Sequence, residues 1–335
     1  MKYAPIIIPT LCRDTHFIRL IESLKRNSWA KYTDVFIGLD YPPSEKYREG
    51  YNNICQYLKG NFSDFKSFNV IRRTENYGSS RNLKELRDLV LLNYDRFIRT
   101  DDDAEFSPNF LEYMNKCLDE YEDDEDIIAV TGYSYPIKWN VSANANVLKE
   151  NFSCPMWGTG FWRKKYNEIK RYILSDELIE KQNFIIRCRI QNMMQRAQWE
   201  YMNMCMSLDY KRSLASKLSD ISVRMYMSVE NKYVIVPVIS KVRNWGFDGT
   251  GEYCQKIQNG CNEKVTSHNY PYSEQMIDAN QNFNIVKDVN NDTSKNRKLM
   301  NNFDTLPLMY ILKTRLKILL YKILGRYMYN RLVVK

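Results

Sequence analysis

A regular alternation of short apolar runs and helix-spaced segments fills the first 132 residues, and it restricts the fold more than any other feature of the chain. Residues 4–9 are apolar and β-branched, as suits a strand buried on both faces. Residues 10–15 are polar, and then Phe17, Leu20, Ile21 and Leu24 recur at helical spacing. Residues 33–40 read as a second buried strand, ending in Asp40 and stopped by Tyr41-Pro42-Pro43. Residues 47–58 read as a helix, 68–72 as a strand, 76–80 as a turn and 81–93 as a helix. Residues 96–100 form a fourth strand that runs directly into Asp101. Beyond Pro108 the pattern predicts a helix over 110–121 with an acidic exit, then a strand over 127–132. Strand and helix in this order predict an α/β fold with a mainly parallel sheet flanked by helices.

Parallel sheets bind ligands at the carboxyl ends of their strands. Arg13, Asp40, Asn76 to Arg81 and Asp101 to Asp103 all fall at such ends or in the loops that leave them. Four polar groups at four successive ends predict a shared functional rim. The second half is less regular. Residues 164–173 and 191–208 read as helices and 233–238 as a strand, whereas 259–298 is Asn-rich and reads as loop.

The bulk numbers exclude several classes. At 335 residues the chain can bury a core without disulfide staples. Its eight Cys include no CxxC pair, which reads as reduced thiols in a cytoplasmic protein. The opening apolar run, residues 6–8, is too short for a signal peptide or a membrane span. His16 and His268 are the only histidines and have no ligand partners nearby in sequence, which argues against zinc. The net charge of +9 is uneven: residues 306–335 hold seven Lys or Arg and no acid. A near-neutral body with a basic tail is not the profile of a nucleic-acid binder.

The acidic triplet carries the chemistry. A hard divalent cation takes oxygen ligands, and a diphosphate takes that cation. Asp101 and Asp103, two positions apart at a strand end, can converge on one ion with Asp102 between them. Such an ion offsets charge on a leaving diphosphate. The bland alternative is a solvated acidic loop. Three acids at the mouth of an apolar strand are costly unless paired, metal-bound or well solvated.

The segment FIRTDDDAEFSPNFLEYM (97–114) resembles the strand, acidic triplet and helix of GT-A-fold inverting glycosyltransferases. The likeness is to the N-acetylglucosaminyltransferase I type and to family 2 enzymes that build bacterial surface polysaccharides. PIIIPTLCRD, VFIGLD, ENYGSSRNL, CPMWGTGFWRKKY and YVIVPVISKVRNWGFDGTGEYC extend it over roughly residues 4–254. The resemblance implies a GT-A catalytic domain over 1–255, with a donor-binding half (1–132) and an acceptor-binding half (133–255). A polar, loop-rich segment (256–305) and the basic helix (306–335) would follow. It implies transfer of a hexose or N-acetylhexosamine from a nucleotide-diphosphate sugar, UDP above all, to a hydroxyl of a glycan or lipid-linked glycan, assisted by Mn2+ or Mg2+. Arg13 and Asp40 would line the nucleoside pocket, and Asn76 and Arg81 would lie over uracil or diphosphate. Asp101 and Asp102 would hold ribose and metal, with Asp103 the direct metal ligand.

An inverting transfer also needs a carboxylate opposite the leaving group to take the acceptor proton. The resemblance places it at Asp220, with Glu200 the competing residue. Asp220 also reads as a helix N-cap. The segment 155–161 would form an acceptor-side loop, in which Gly158 and Gly160 permit close backbone approach while Trp157 and Trp162 stack on sugar rings. Ordinary core aromatics are the alternative. Two other functions stay open. One is a sugar nucleotidyltransferase, although residues 9–13 lack its glycine-rich opening; the other is a non-catalytic sugar- or membrane-binding protein.

In the tail, Leu308, Ile311, Leu312, Leu316, Leu319, Leu320, Ile323 and Leu324 recur at helical spacing among Lys313, Arg315, Lys317 and Lys322. A basic amphipathic helix suits an anionic membrane surface at the inner face of the cell membrane. Equally, it suits a helix packed on the enzyme with its charges in water.

Overall fold

The computed structural model describes residues 2–173, 220–251, 270–290, 292–303 and 308–333. In chain order the first hundred or so residues contain β1 (Ile6–Thr10), α1 (Asp14–Lys25), β2 (Asp34–Leu39), α2 (Arg48–Tyr57), β3 (Ser67–Arg72), α3 (Gly78–Val90) and β4 (Arg96–Arg99). There follow β5 (Ala104–Phe106), α4 (Phe110–Glu120), β6 (Ile127–Thr131), β7 (Val147–Glu150), β8 (Thr159–Trp162) and α5 (Arg163–Ile173). The remaining elements are α6 (Asp220–Glu230), β9 (Tyr233–Pro237), β10 (Val242–Asn244), α7 (Thr293–Phe303) and α8 (Leu308–Val333).

Among the described residues, one sheet of eight strands runs in the order β3-β2-β1-β4-β8-β6-β9-β7. The first four strands are parallel, as the alternation predicts. Strand β8 then inserts antiparallel between β4 and β6, β6 and β9 are parallel, and β7 closes the far edge antiparallel. The fold is thus α/β with a mainly parallel sheet, flanking helices and a C-terminal helix.

The period of two sorts side chains between the faces. Ile6 and Ile8 pack with Phe17, Leu20 and Leu24 of α1 and with Phe110 and Met114 of α4. Ile7, between them, packs on the opposite face with Leu86 and Val90 of α3. That second face also takes Ile169 of α5, Val223 and Met227 of α6, and Met300 of α7. Each such fully buried side chain contributes about 1.5–3 kcal/mol of transfer free energy, so the parallel half needs no other staple.

Two differences from the sequence reading matter. The segment 155–161 was expected as a loop, but its last three residues belong to β8, an interior strand. A four-residue strand that runs directly into a helix has too few residues to show a period. The segment 259–298, expected as loop, contributes Tyr272 and Phe283 to the first core cluster, and its last residues start α7. Buried Asp278 anchors it to Lys241 and Asn109. The expected helix over 191–208 lies outside the described residues.

Candidate functional site

Strand pairing creates the site. Because β1 lies beside β4 in parallel, with Ile6 opposite Ile98, the chain leaving β1 at Thr10 emerges next to the triplet leaving β4. Thr10 Oγ1 donates to Asp102 Oδ2 at 2.9 Å. Arg13, three residues further on, donates from Nη1 to Asp103 Oδ2 at 2.9 Å and from Nη2 to Asp102 Oδ1. Asp102 and Asp103 are buried, at 6% and 7% exposure.

Asp101 behaves differently. It is half-buried, and it accepts from Arg99 Nη2 at 2.8 Å. The expected convergence of Asp101 and Asp103 assumed an extended strand, in which alternate residues face the same way. The chain instead turns at Asp102 and Asp103 before entering β5. The turn puts these two neighbours, rather than Asp101 and Asp103, on the same guanidinium.

The charge balance of this pair is informative. Burial pushes the Asp103 carboxyl up to about 7, opposed by Arg13 and reinforced by Asp101 and Asp102. Burial raises Asp102 as well, against the pull of Arg13 and Thr10. Burial acts to lower the Arg13 pKa, but the two carboxylates outweigh it and hold the guanidinium firmly charged. Two buried carboxylates therefore share one cation, and burial favours keeping a proton on the pair that a bound metal ion would displace.

A second loop closes over the triplet. Strand β10 pairs antiparallel with β5, placing Asn244 opposite Ala104. Trp245 N–H then donates to the Asp103 carbonyl at 2.8 Å. Gly246 lies so close that a Cβ there would stand 2.0 Å from Asp103 Oδ2, so no other residue fits without movement. Trp245 is held by its indole N–H on Glu105 at 2.8 Å and by Arg19 stacked 4.0 Å over its ring. His16 adds contacts to the Trp245 carbonyl at 3.2 Å and to Asp248 at 3.1 Å. Neither Glu105 nor His16 stood out in the sequence, since each acts through a residue more than a hundred positions away.

Asp40 ends β2 and is buried. Its carboxylate accepts from the backbone amides of Tyr41 (2.9 Å), Tyr77 (2.8 Å) and Gly78 (2.8 Å). Asn76 Nδ2 approaches it at 3.4 Å and donates to the Tyr41 carbonyl at 2.7 Å. Asp40 thus caps α3 from across the sheet, satisfying amides that a helix start leaves open. Arg81 is exposed, stacks 3.6 Å over the Tyr77 ring and pairs with Glu75 and Glu85.

On the far side, Trp157 is half-buried in an aromatic group with Tyr133 (centroids 4.7 Å apart), Tyr272 (5.6 Å) and Phe247 (5.9 Å). Phe247 follows Gly246, so this group adjoins the covered triplet. Trp162 does not join it. It is buried in β8, with its indole N–H donating to the Leu118 carbonyl at 3.1 Å. A sugar cannot stack on a ring enclosed in the core, and the acceptor role expected of Trp162 gives way to packing. Gly160 is likewise a packing position, where a Cβ would meet Met114 Cε at 2.8 Å as α4 crosses β8. Gly158 has φ +65°, and its Cβ direction is filled by Phe110 and Phe106.

Asp220 opens α6 and is half-buried, in the first turn rather than before it. Glu200 lies outside the described residues. The buried Cys154 thiol, pushed up by burial, feels the charges of Glu150, Asp220, Arg224 and Arg99. Arg99 is the partner of Asp101, and its buried Nε–H has no acceptor among the described residues. Glu150 accepts from the amides of Phe152 and Ser153, and burial pushes its carboxyl up to about 8. A lone acid in an edge strand carries no sequence signal of this burial.

Among the described residues no three His, Cys, Asp or Glu converge on one point as a ready metal cage. The donor chemistry still fits a hard cation held jointly with a ligand. Such ions take one or two carboxylates and fill their remaining positions from phosphate and water, and the Asp102–Asp103 pair offers two carboxyl groups that share a single guanidinium.

No protein-family model matches the chain, and no curated protein matches it. Partial similarity exists to solved structures. S. aureus TarS 1–349 in complex with UDP-GlcNAc is 15% identical, with a TM-score of 0.33, over 50% of this chain and 48% of that one. The mannosyltransferase PcManGT from Pyrobaculum calidifontis, in complex with GDP-Man and Mn2+, is 15% identical, with a TM-score of 0.29, over 38% and 34%. S. aureus TarS itself is 14% identical, with a TM-score of 0.30, over 43% and 24%. The chain therefore spans a quarter to a half of the length of these proteins.

Proposed function

We propose that the chain is a GT-A-type inverting glycosyltransferase, moving a hexose or N-acetylhexosamine from a UDP-sugar to a hydroxyl of a glycan or lipid-linked glycan. The observation that carries this reading is the pairing at the end of β4: Asp102 and Asp103, both buried, share Arg13 beneath the Gly246 loop. Two buried carboxyls with a single cationic partner at a parallel strand end suit a cation–diphosphate pair better than an anion alone or a neutral sugar.

Asp103 is the direct ligand for Mn2+ or Mg2+ in this reading, with Asp101 within reach after a turn of its side chain away from Arg99. Bound there, the ion supplies Lewis-acid stabilisation of the leaving diphosphate. Arg13 stands next to the same oxygens and orients them. Asp40 and Asn76 act by holding the 76–78 turn, which would border the nucleoside. Arg81, with Tyr77, offers a cation and a ring face at the outer rim. Trp157 and Phe247 present aromatic surface to the acceptor. Asp220 removes the acceptor hydroxyl proton as that oxygen bonds to the anomeric carbon and the bond to the diphosphate oxygen breaks.

Incubation with a panel of UDP-sugars, with and without Mn2+, tests the reaction by release of UDP. Metal-dependent release that falls at least about a hundredfold in Asp220→Asn, with donor binding kept, is expected. Full activity in that variant would remove Asp220 from the role of base, and no turnover of any donor would remove the reaction.

A further inference from the structure

The C-terminal helix presents an apolar face that nothing described covers. Helix α8 is broken at Gly325, whose φ of +71° is non-helical, so the chain forms two limbs. Tyr321 and Tyr329 stack edge-on with centroids 5.5 Å apart. In a straight helix residues eight apart would be separated by about 12 Å, so the second limb folds back on the first. Thr314, Ile318 and Tyr329 are buried, with Tyr310, Ile311, Tyr321 and Leu324 packed around Ile318 and Tyr329. This small cluster draws no residue from either main core.

The other side of the first limb is exposed. Leu308 (71%), Leu316 (57%) and Ile323 (70%) are open to solvent, as are Leu312 and Leu319. At about 100° per residue these five side chains fall within an arc of about 80°. Arg315 and Lys322 project from one border of that arc and Lys313 from beyond the other, about 60° past it, with Lys317 further round; all four are exposed. The buried Thr314 and Ile318 lie on the opposite side. The order around the helix is therefore packed face, basic flank, apolar arc, basic flank.

We propose that this arc is a docking surface for a membrane leaflet rich in anionic lipid. An apolar arc with cations on both flanks matches an interface in which leucines enter the acyl boundary and the ammonium and guanidinium groups reach phosphates. Residues 306–335 contain no acid, so a second copy of the same face would bring like charges together along both flanks. This disfavours self-association through it. Among the described residues no helix is long and apolar enough to cross a membrane, so the contact is with a surface. The proposal is independent of the sugar chemistry proposed above.

Co-sedimentation of the full chain with phosphatidylcholine vesicles, with and without phosphatidylglycerol, tests it. Binding is expected only with the anionic lipid and is expected to weaken at high salt. The combined change Leu312→Gln, Leu316→Gln and Leu319→Gln should abolish it. The combined change Lys313→Glu, Arg315→Glu and Lys322→Glu should weaken it about a hundredfold, from about fivefold per basic group. Unaltered thermal unfolding of both variants would show that the fold is kept. Equal binding to both vesicle types, or full binding by the leucine variant, would overturn the proposal. So would a lack of vesicle binding with a dimer in light scattering that the leucine variant dissolves, which would assign the arc to a protein contact.

Discussion

The end of β4 and the middle of β8 lie side by side in the sheet, yet residues singled out in the two places have opposite fates. Asp102 and Asp103 reach a shared cation under a loop, whereas Gly160 and Trp162 are taken up by the core. The cause is position along a strand. A residue past a strand's carboxyl end has no pairing to fulfil and can face the crevice. A residue inside an interior strand has a helix over it, here α4 over Gly160 and Trp162. Residue type says less: Trp157 and Trp162 are both tryptophans five positions apart, and only the one before β8 reaches the aromatic group beside the triplet.

The sharpest break of this comparison is Trp162→Ala. As a core residue it should cost about 3–5 kcal/mol in urea unfolding. A sugar-stacking residue would leave stability almost unchanged. Next is Arg13→Met, which strips the cation from two buried carboxylates. Removing one partner of a fully buried pair costs about 3–5 kcal/mol, and about 2–4 kcal/mol is expected because Arg13 is part-exposed. Metal should restore part of that loss in thermal unfolding. No loss would mean that the carboxylates are well solvated, contrary to their burial.

A smaller effect separates Glu150 from the triplet. In the unfolded chain Glu150 loses its proton near its ordinary 4.5, and in the folded protein it keeps it to about 8. Below pH 4.5 both states carry the proton. Between 4.5 and 8 Glu150 keeps its proton longer in the folded state than in the unfolded one, so its own contribution to stability falls as pH rises, by at most about 1.4 kcal/mol per pH unit, and Asp103, held up to about 7, adds to the fall below that pH. Glu150→Gln should flatten that fall in urea titrations across the window. An unchanged slope would assign the pH dependence elsewhere.

Much of the N-terminal, strand–helix alternating part was legible because its signals are local and repeated. Ile6, Ile7 and Ile8 alternate between two faces, and the helices α1, α3 and α4 carry the matching stripes. Polar residues at successive strand ends pointed to Arg13 and the triplet. What could not be read depends on distant partners or short elements. Asp40 was visible as an acid, but its engagement with Tyr77 and Gly78 is set by the β2–β3 pairing and the turn that follows. The order Asp102–Asp103 rather than Asp101–Asp103 follows from a turn that a run of three identical residues cannot reveal. Strands β5, β7, β8 and β10 have three or four residues each, below the length at which a period of two can be told from chance.

The central claim is that Asp103 holds a cation together with a diphosphate. Isothermal titration of UDP into the protein, with Mn2+ and with chelator, tests it against Asp103→Asn. Tight binding is expected only with Mn2+, and the variant should lose at least about a hundredfold in affinity while keeping thermal stability, since a neutral amide replaces a carboxyl that burial already holds up to about 7. Metal-independent binding of UDP, or full metal-dependent binding by the variant, would contradict it.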